Sequence, residues 1–221
     1  MKILKVIKAI SLFFSAVIVL FILGIMLYKL WYITNRESDL NYVNRIYENS
    51  RKIDSIKYQD NNYVDGKLIM QKNVWKKGQG NKSKKRAEDV NILVDNSIVV
   101  SISDYEKNVI YLYQQGYEKT IQRKIADSEP IDEVSNSFEI FKPCSFLIVG
   151  EEFIEEKNTV TVECFMENLK SIKYWIWKDY GIELQAKEKN GRSVFKRENI
   201  EVNKEISDDL FLLPKGAQIT D

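Results

Sequence analysis

Residues 172–187 read IKYWIWKDYGIELQAK, which holds two strand-like runs, Ile172 to Lys178 and Ile182 to Lys187. Side chains alternate across a strand, so Tyr174 and Ile176 fall on one face and Trp175 and Trp177 on the other. One pair is therefore the more exposed. Exposed tryptophan marks a ligand cavity or a partner surface, and packing beneath a helix accounts for the same pattern equally well.

Outward from this stretch the β pattern continues. Asn190-Gly191 is a tight-turn signal, followed by Ser193 to Val202, while Phe146 to Phe153 and Thr159 to Met166 lie upstream. The C-terminal half is thus expected to be a β-meander. A first meander is expected from Ile53 to Tyr58, Lys67 to Trp75, Ile92 to Val94, Ile98 to Ile102 and Val109 to Tyr113. Two helices accompany the strands. Leu40, Val43, Ile46 and Tyr47 recur at helical spacing between Glu37 and Lys52. Ser128 and Pro130 open a second helical stretch, with Ile131, Val134, Phe138 and Phe141 on one face and Pro143 as its stop. No repeat or linker divides residues 37–221, so one domain is expected there.

Ahead of that domain, residues 9–28 read AISLFFSAVIVLFILGIMLY without a charge. Twenty residues at about 1.5 Å each match a bilayer core of about 30 Å. Lys2, Lys5 and Lys8 precede the run, whereas Lys29 and Arg36 follow with Glu37 and Asp39. The positive-inside rule then predicts a cytoplasmic tail at 1–8, a signal anchor with interfacial aromatics at 9–32, and an extracytoplasmic domain at 37–221. Tyr28, Trp31 and Tyr32 suit the headgroup region, and no small-residue cleavage site follows. The first cysteine is Cys144, so attachment of a lipid near the end of a signal sequence is not expected.

Composition narrows the chemistry. Among 221 residues there are 33 Lys+Arg, 32 Asp+Glu and no His. The near-neutral balance carries no nucleic-acid footprint. Without histidine the commonest general base, the commonest zinc ligand and every His-dependent triad are missing. No catalytic, metal-binding or cofactor-binding residue is therefore assigned. Cys144 and Cys164 form a disulfide or remain buried thiols; in the run TVTVECFM, Val160, Val162, Cys164 and Met166 share one strand face. The stretch WKKGQGNKSKKR, residues 75–86, reads as a hairpin tip carrying Lys76, Lys77, Lys82, Lys84, Lys85 and Arg86. It is either a patch for anionic lipid or wall polymer or a solvated loop. Its glycines match no phosphate-binding spacing. Glu151, Glu152, Glu155 and Glu156 lack the alternating ligands of a calcium loop and read as a solvated strand end.

The run Trp175 to Leu184, the turn at Gly191, Ile200-Glu201-Val202-Asn203 and Leu210-Phe211-Leu212-Leu213-Pro214-Lys215-Gly216 together resemble the LolA/LolB-type lipoprotein carriers. The resemblance implies a mainly β (α+β) fold: a half-open antiparallel β-barrel whose concave face is covered by helices, used for acyl chains in the carriers and for protein binding in relatives. Around Val202-Asn203 and Leu213-Pro214 the chain is similar to the clostridial GerS-type spore germination proteins. That likeness implies a non-enzymatic partner of an N-acetylmuramoyl-L-alanine amidase acting on spore cortex peptidoglycan, located in the forespore intermembrane space. The competing expectation is an acceptor that binds lipid or lipoprotein acyl chains in the concave face. A helix-tethered chain is poorly suited to ferrying cargo through water, which favours local protein binding. An envelope stress sensor is a weaker expectation, because only eight residues precede the span.

Overall fold

The computed structural model describes residues 17–27, 37–92, 96–117, 119–125, 145–165 and 171–220. The chain divides into two units, Met1–Tyr42 and Val43–Asp221. In the first unit residues 17–27 are helical, with large apolar side chains such as Leu20, Phe21 and Leu27 exposed. They are the described part of the expected span. No helix among the described residues is long and apolar enough to cross a membrane.

The second unit is built on twelve strands: β1 (Ser55–Val64), β2 (Lys67–Lys77), β3 (Lys84–Asn91), β4 (Ile98–Asp104), β5 (Val109–Gln114), β6 (Lys119–Lys124), β7 (Ser145–Ile154), β8 (Lys157–Phe165), β9 (Ser171–Trp177), β10 (Ile182–Glu188), β11 (Ser193–Val202) and β12 (Gln218–Thr220). They form one sheet in the order β12-β6-β5-β4-β3-β2-β1-β11-β10-β9-β8-β7. Two meanders, β1 to β6 and β7 to β11, are thus sewn together where β1 pairs antiparallel with β11. The expected half-open barrel corresponds to an open sheet ending at β12 and β7. One ladder departs from the expected antiparallel rule, since β12 runs parallel to β6.

Local chemistry explains the turns. Asp65 and Gly66 both have positive φ and join β1 to β2 in two residues, as the twist of paired strands prefers. Glu155 and Glu156 close β7 onto β8 at φ 47° and 64°, a conformation that costs a residue bearing a Cβ. Lys157 and Lys196 lie 3.8 and 3.6 Å from the Glu155 carboxylate there.

Several expected boundaries moved. The expected strand at Ile92 to Val94 is instead preceded by β3; Ile92 lies in the turn that follows, and residues 93–95 are outside those described. β3, β6 and β12 had no strand signal of their own, because each is charged or very short and offers few apolar positions to alternate. The expected helix at Glu37 to Lys52 is present as a helix over residues 37–47 and a 3-10 turn, Glu48–Lys52. The helix expected from Ser128 to Pro143 lies outside the described residues.

The core occupies both sides of the sheet. Ile53, Ile56, Tyr58, Val74, Ala87, Ile182 and Leu184 pack as one buried cluster. Val100, Ile102 and Tyr113 form a second with Ile206 and Phe211 of the C-terminal segment.

Candidate functional site

On β9 the alternation is as expected: Tyr174 and Ile176 are buried, while Trp175 and Trp177 are partly exposed. The buried side faces the segment at 43–49. Val43, Ile46 and Tyr47 are buried there, and the Tyr47 hydroxyl donates to Glu183 Oε1 at 2.6 Å. Asn49 Nδ2 donates to the Lys178 carbonyl at 2.7 Å. Gly181 makes this approach feasible, since at φ +61° a Cβ would sit 2.6 Å from the Ile46 carbonyl oxygen.

Charge is concentrated beneath that cover. Arg197 of β11 holds Asp60 of β1 in a two-pronged pair, Nε to Oδ1 at 2.7 Å and Nη2 to Oδ2 at 3.1 Å. Its guanidinium lies 4.2 Å over the Tyr58 ring. Burial pushes the Glu183 carboxyl above its ordinary range, although the Tyr47 hydroxyl and the Arg197 charge pull it back. Burial and then the Glu183 charge push Tyr47 well above the ordinary phenol value and Tyr174 up to about 12. In sequence Tyr47 reads only as part of an apolar helical face, and Asp60, Glu183 and Arg197 carry no site signal of the kinds weighed above. One local signal existed, a glutamate flanked by Ile182 and Leu184 in an otherwise apolar run; the partners lie more than a hundred residues away.

The opposite face carries the tryptophans, and neither ring is bare. Trp175 Nε1 donates to Glu152 Oε1, which also accepts from Thr161 Oγ1 at 3.1 Å. Lys187 Nζ stands 5.6 Å over the Trp175 ring. Trp177 donates to Asp179 Oδ2 at 3.1 Å, meets Tyr180 edge-on at 4.7 Å and has Lys157 Nζ 5.5 Å above it. The result is a polar-rimmed aromatic strip. It also explains part of the acidic stretch, since Glu152 serves the strip and Glu151 accepts from Lys178 at 2.7 Å.

The basic stretch is a hairpin, but most of it is strand. Lys77 pairs with Lys84, Lys76 with Lys85 and Trp75 with Arg86 across β2 and β3, so the loop shrinks to residues 78–83. Alternation sends Lys76 and Lys85 to one face and Lys77, Lys84 and Arg86 to the other, with Lys82 in the loop. Lys77 Nζ donates to the Ile206 carbonyl at 3.1 Å and to Asp208 at 3.0 Å. Arg86 donates to Glu88 Oε1 at 2.6 Å and to the Leu210 carbonyl at 3.1 Å. The six cations therefore do not share one surface, and two of them fasten the C-terminal segment. Cys164 is buried on β8 opposite Phe146 and is disulfide-bonded. Cys144 lies outside the described residues.

That C-terminal segment crosses the sheet like a strap. Asn203 starts it: its Oδ1 accepts from the Asp54 amide at 2.8 Å and its Nδ2 donates to the Lys52 carbonyl at 3.0 Å. Ser207 caps the 3-10 turn Asp208–Phe211, Ile206 and Phe211 are anchored on Val100, Ile102 and Tyr113, and β12 ends the crossing at β6. A cavity of about 790 Å³ lies between strap and sheet. Among the described residues no group of three or more His, Cys, Asp or Glu side chains could hold a metal ion.

No family model matches the sequence. No curated protein matches it either. Solved structures do resemble the fold. An uncharacterised conserved protein from Thermus thermophilus superposes with a TM-score of 0.51 at 11% identity, over 83% of this chain and 98% of that one. MucB superposes with a TM-score of 0.51 at 12% identity, over 80% of this chain, and a second MucB structure, at 0.51 and 12% identity, holds it in complex with MucA(peri). This chain spans about 63% of the length of MucB. A LolA superfamily protein, NE2245 from Nitrosomonas europaea, aligns over 76% of this chain and 96% of that one at 8% identity with a TM-score of 0.31. At these identities the likeness to the Thermus protein and to MucB is one of fold.

Proposed function

We propose that this chain is a membrane-anchored, non-enzymatic binding protein of LolA type that engages another protein on the extracytoplasmic side, and specifically a GerS-like partner of an N-acetylmuramoyl-L-alanine amidase of the spore cortex. The observation that carries the reading is the charge beneath the segment at 43–49. A carrier fills the space between helix and sheet with acyl chain, which requires an apolar lumen. Here Asp60, Arg197, Tyr47 and Glu183 meet in that space. Separating such a pair strands a charge in a poorly solvated site, at a cost of about 3–5 kcal/mol. Recognition is therefore left to outer surfaces, of which the Trp175 and Trp177 strip is the most suited to a protein.

Three further features support the reading. The helix at 17–27 exposes Leu20, Phe21 and Leu27, as a lipid-facing segment would. The disulfide at Cys164 suits an oxidising compartment, Cys144 being the other cysteine of the sequence. MucB, of similar fold, has been solved with a protein bound, MucA(peri).

Affinity capture of the full-length chain from sporulating membranes, combined with muropeptide analysis of spores lacking it, tests this. Recovery of the amidase and loss of muramic-δ-lactam, restored by the full-length gene, are expected. Unchanged cortex would reject the amidase reading. Lipid retained through native mass spectrometry of the whole chain would instead establish the acyl-chain acceptor.

A further inference from the structure

The cavity under the C-terminal strap has a floor that the protein itself does not satisfy. Tyr113 of β5 and Thr120 of β6 are cross-strand partners, and both line the cavity. Tyr113 is 8% exposed and Thr120 1%. Among the described residues neither hydroxyl has a hydrogen-bond partner, yet neither is among the buried oxygens sealed from solvent. Both therefore open into the cavity, side by side. A nearly buried hydroxyl without a partner is uncommon, because leaving one unsatisfied is costly.

The rest of the lining says what would satisfy them. Val100, Leu213 and Pro214 supply an apolar wall, and Tyr117, 66% exposed, stands at the rim with its ring free to stack. Asp209 and Lys215 also line the opening, and among the described residues neither is in an ion pair. Arg86 is committed to Glu88 and the Leu210 carbonyl. The free charges thus cancel, which disfavours a polyanion. An acyl chain would bury two hydroxyls with no partner. An extended peptide would need a strand edge, and β12 already occupies that of β6. A volume of about 790 Å³ is in the range of pockets for small organic ligands, roughly 300–1,000 Å³.

The geometry points to a carbohydrate site: a short uncharged glycan of one or two pyranose rings, its hydroxyl or acetamido groups on Tyr113 and Thr120 and an apolar ring face on Tyr117. This site lies across the sheet from the segment at 43–49, and it is independent of the amidase reading.

Saturation-transfer NMR on the full-length chain, held in a zwitterionic detergent free of sugar, tests it with di-N-acetylchitobiose, maltose and a medium-chain fatty acid as separate probes. Transfer to at least one disaccharide is expected, with binding weakened at least tenfold in Thr120→Val combined with Tyr113→Phe. Tyr117→Ala, at the exposed rim, should weaken it as well without touching the core, and circular dichroism identifies any variant that fails to fold. Silence from both disaccharides, transfer unchanged in the folded variants, or transfer confined to the fatty acid would each overturn the assignment.

Discussion

The sheet is covered twice, and the two covers are held by different physics. The segment at 43–49 buries Val43 and Ile46 and is locked in place by directional groups: Tyr47 on Glu183, Asn49 on the Lys178 carbonyl, and the Asp60–Arg197 pair beneath. The C-terminal strap is held by apolar anchors, Ile206 and Phe211, and by Lys77 and Arg86 donating to its carbonyls. Directional contacts specify one position and fail abruptly, since each broken pair leaves a costly orphan. Apolar contacts tolerate sliding and fail gradually. The first cover is a lock, and the second a clamp whose underside can take a ligand.

The sharpest way to break this contrast is Arg197→Met. It strands Asp60 in a site where both side chains are under 20% exposed, so a loss of about 3–4 kcal/mol is expected in chemical denaturation. Adding Asp60→Leu should recover much of it; no recovery would deny that the pair acts as a unit. Phe211→Ala should cost about 3 kcal/mol and open the strap, seen as faster amide exchange at residues 203–217 with the β8 to β10 amides still protected. Equal loosening on both sides would show that the covers are not independent. Gly181→Ala forces a Cβ against the Ile46 carbonyl and should cost about 2 kcal/mol, with exchange rising at residues 43–49 and not in the strap.

Glu183→Gln sharpens the comparison through pH. Burial raises the folded carboxyl above its unfolded value, so the folded state binds the extra proton between the two. The contribution to stability is full below the ordinary carboxylate range and declines as pH rises through the raised value. Wild type should therefore lose stability relative to Glu183→Gln over that window, and parallel curves would contradict a Glu183 carboxyl raised by burial. The smallest effect is at Lys77→Met: the ion pair with Asp208 is 40% and 73% exposed at its two ends, and a change under about 0.5 kcal/mol is expected.

Much of the strand content was legible because it repeats with a period of two. The run at 172–187 showed that β9 has one side more buried than the other, and the structure makes it the side of Tyr174 and Ile176. What escaped lacked that rhythm. KKRAEDVN, residues 84–91, is a strand because it lies between β2 and β4, and its one buried side chain, Ala87, is too small to announce a face. The basic stretch reads in sequence as a hairpin tip, a patch or a solvated loop, because its lysines are clustered along the chain, whereas strand pairing spreads them over both faces. The charged lock was invisible for another reason. Tyr47 and Glu183 are 136 residues apart, and Asp60 and Arg197 are 137, and no local pattern announces a partner at that distance. The pairing of β1 with β11 is what brings them together.

The route of the strap also orders events in time. Its anchors are made about a hundred residues after the strands that they close over, and such long-range contacts form late. While the chain is still emerging, Val100, Ile102 and Tyr113 have no cover, and the cavity has no roof. A truncation before Ile206 would leave that apolar face bare, inviting aggregation or proteolysis. The apolar face is therefore protected, and the cavity roofed, only after the strap has been made.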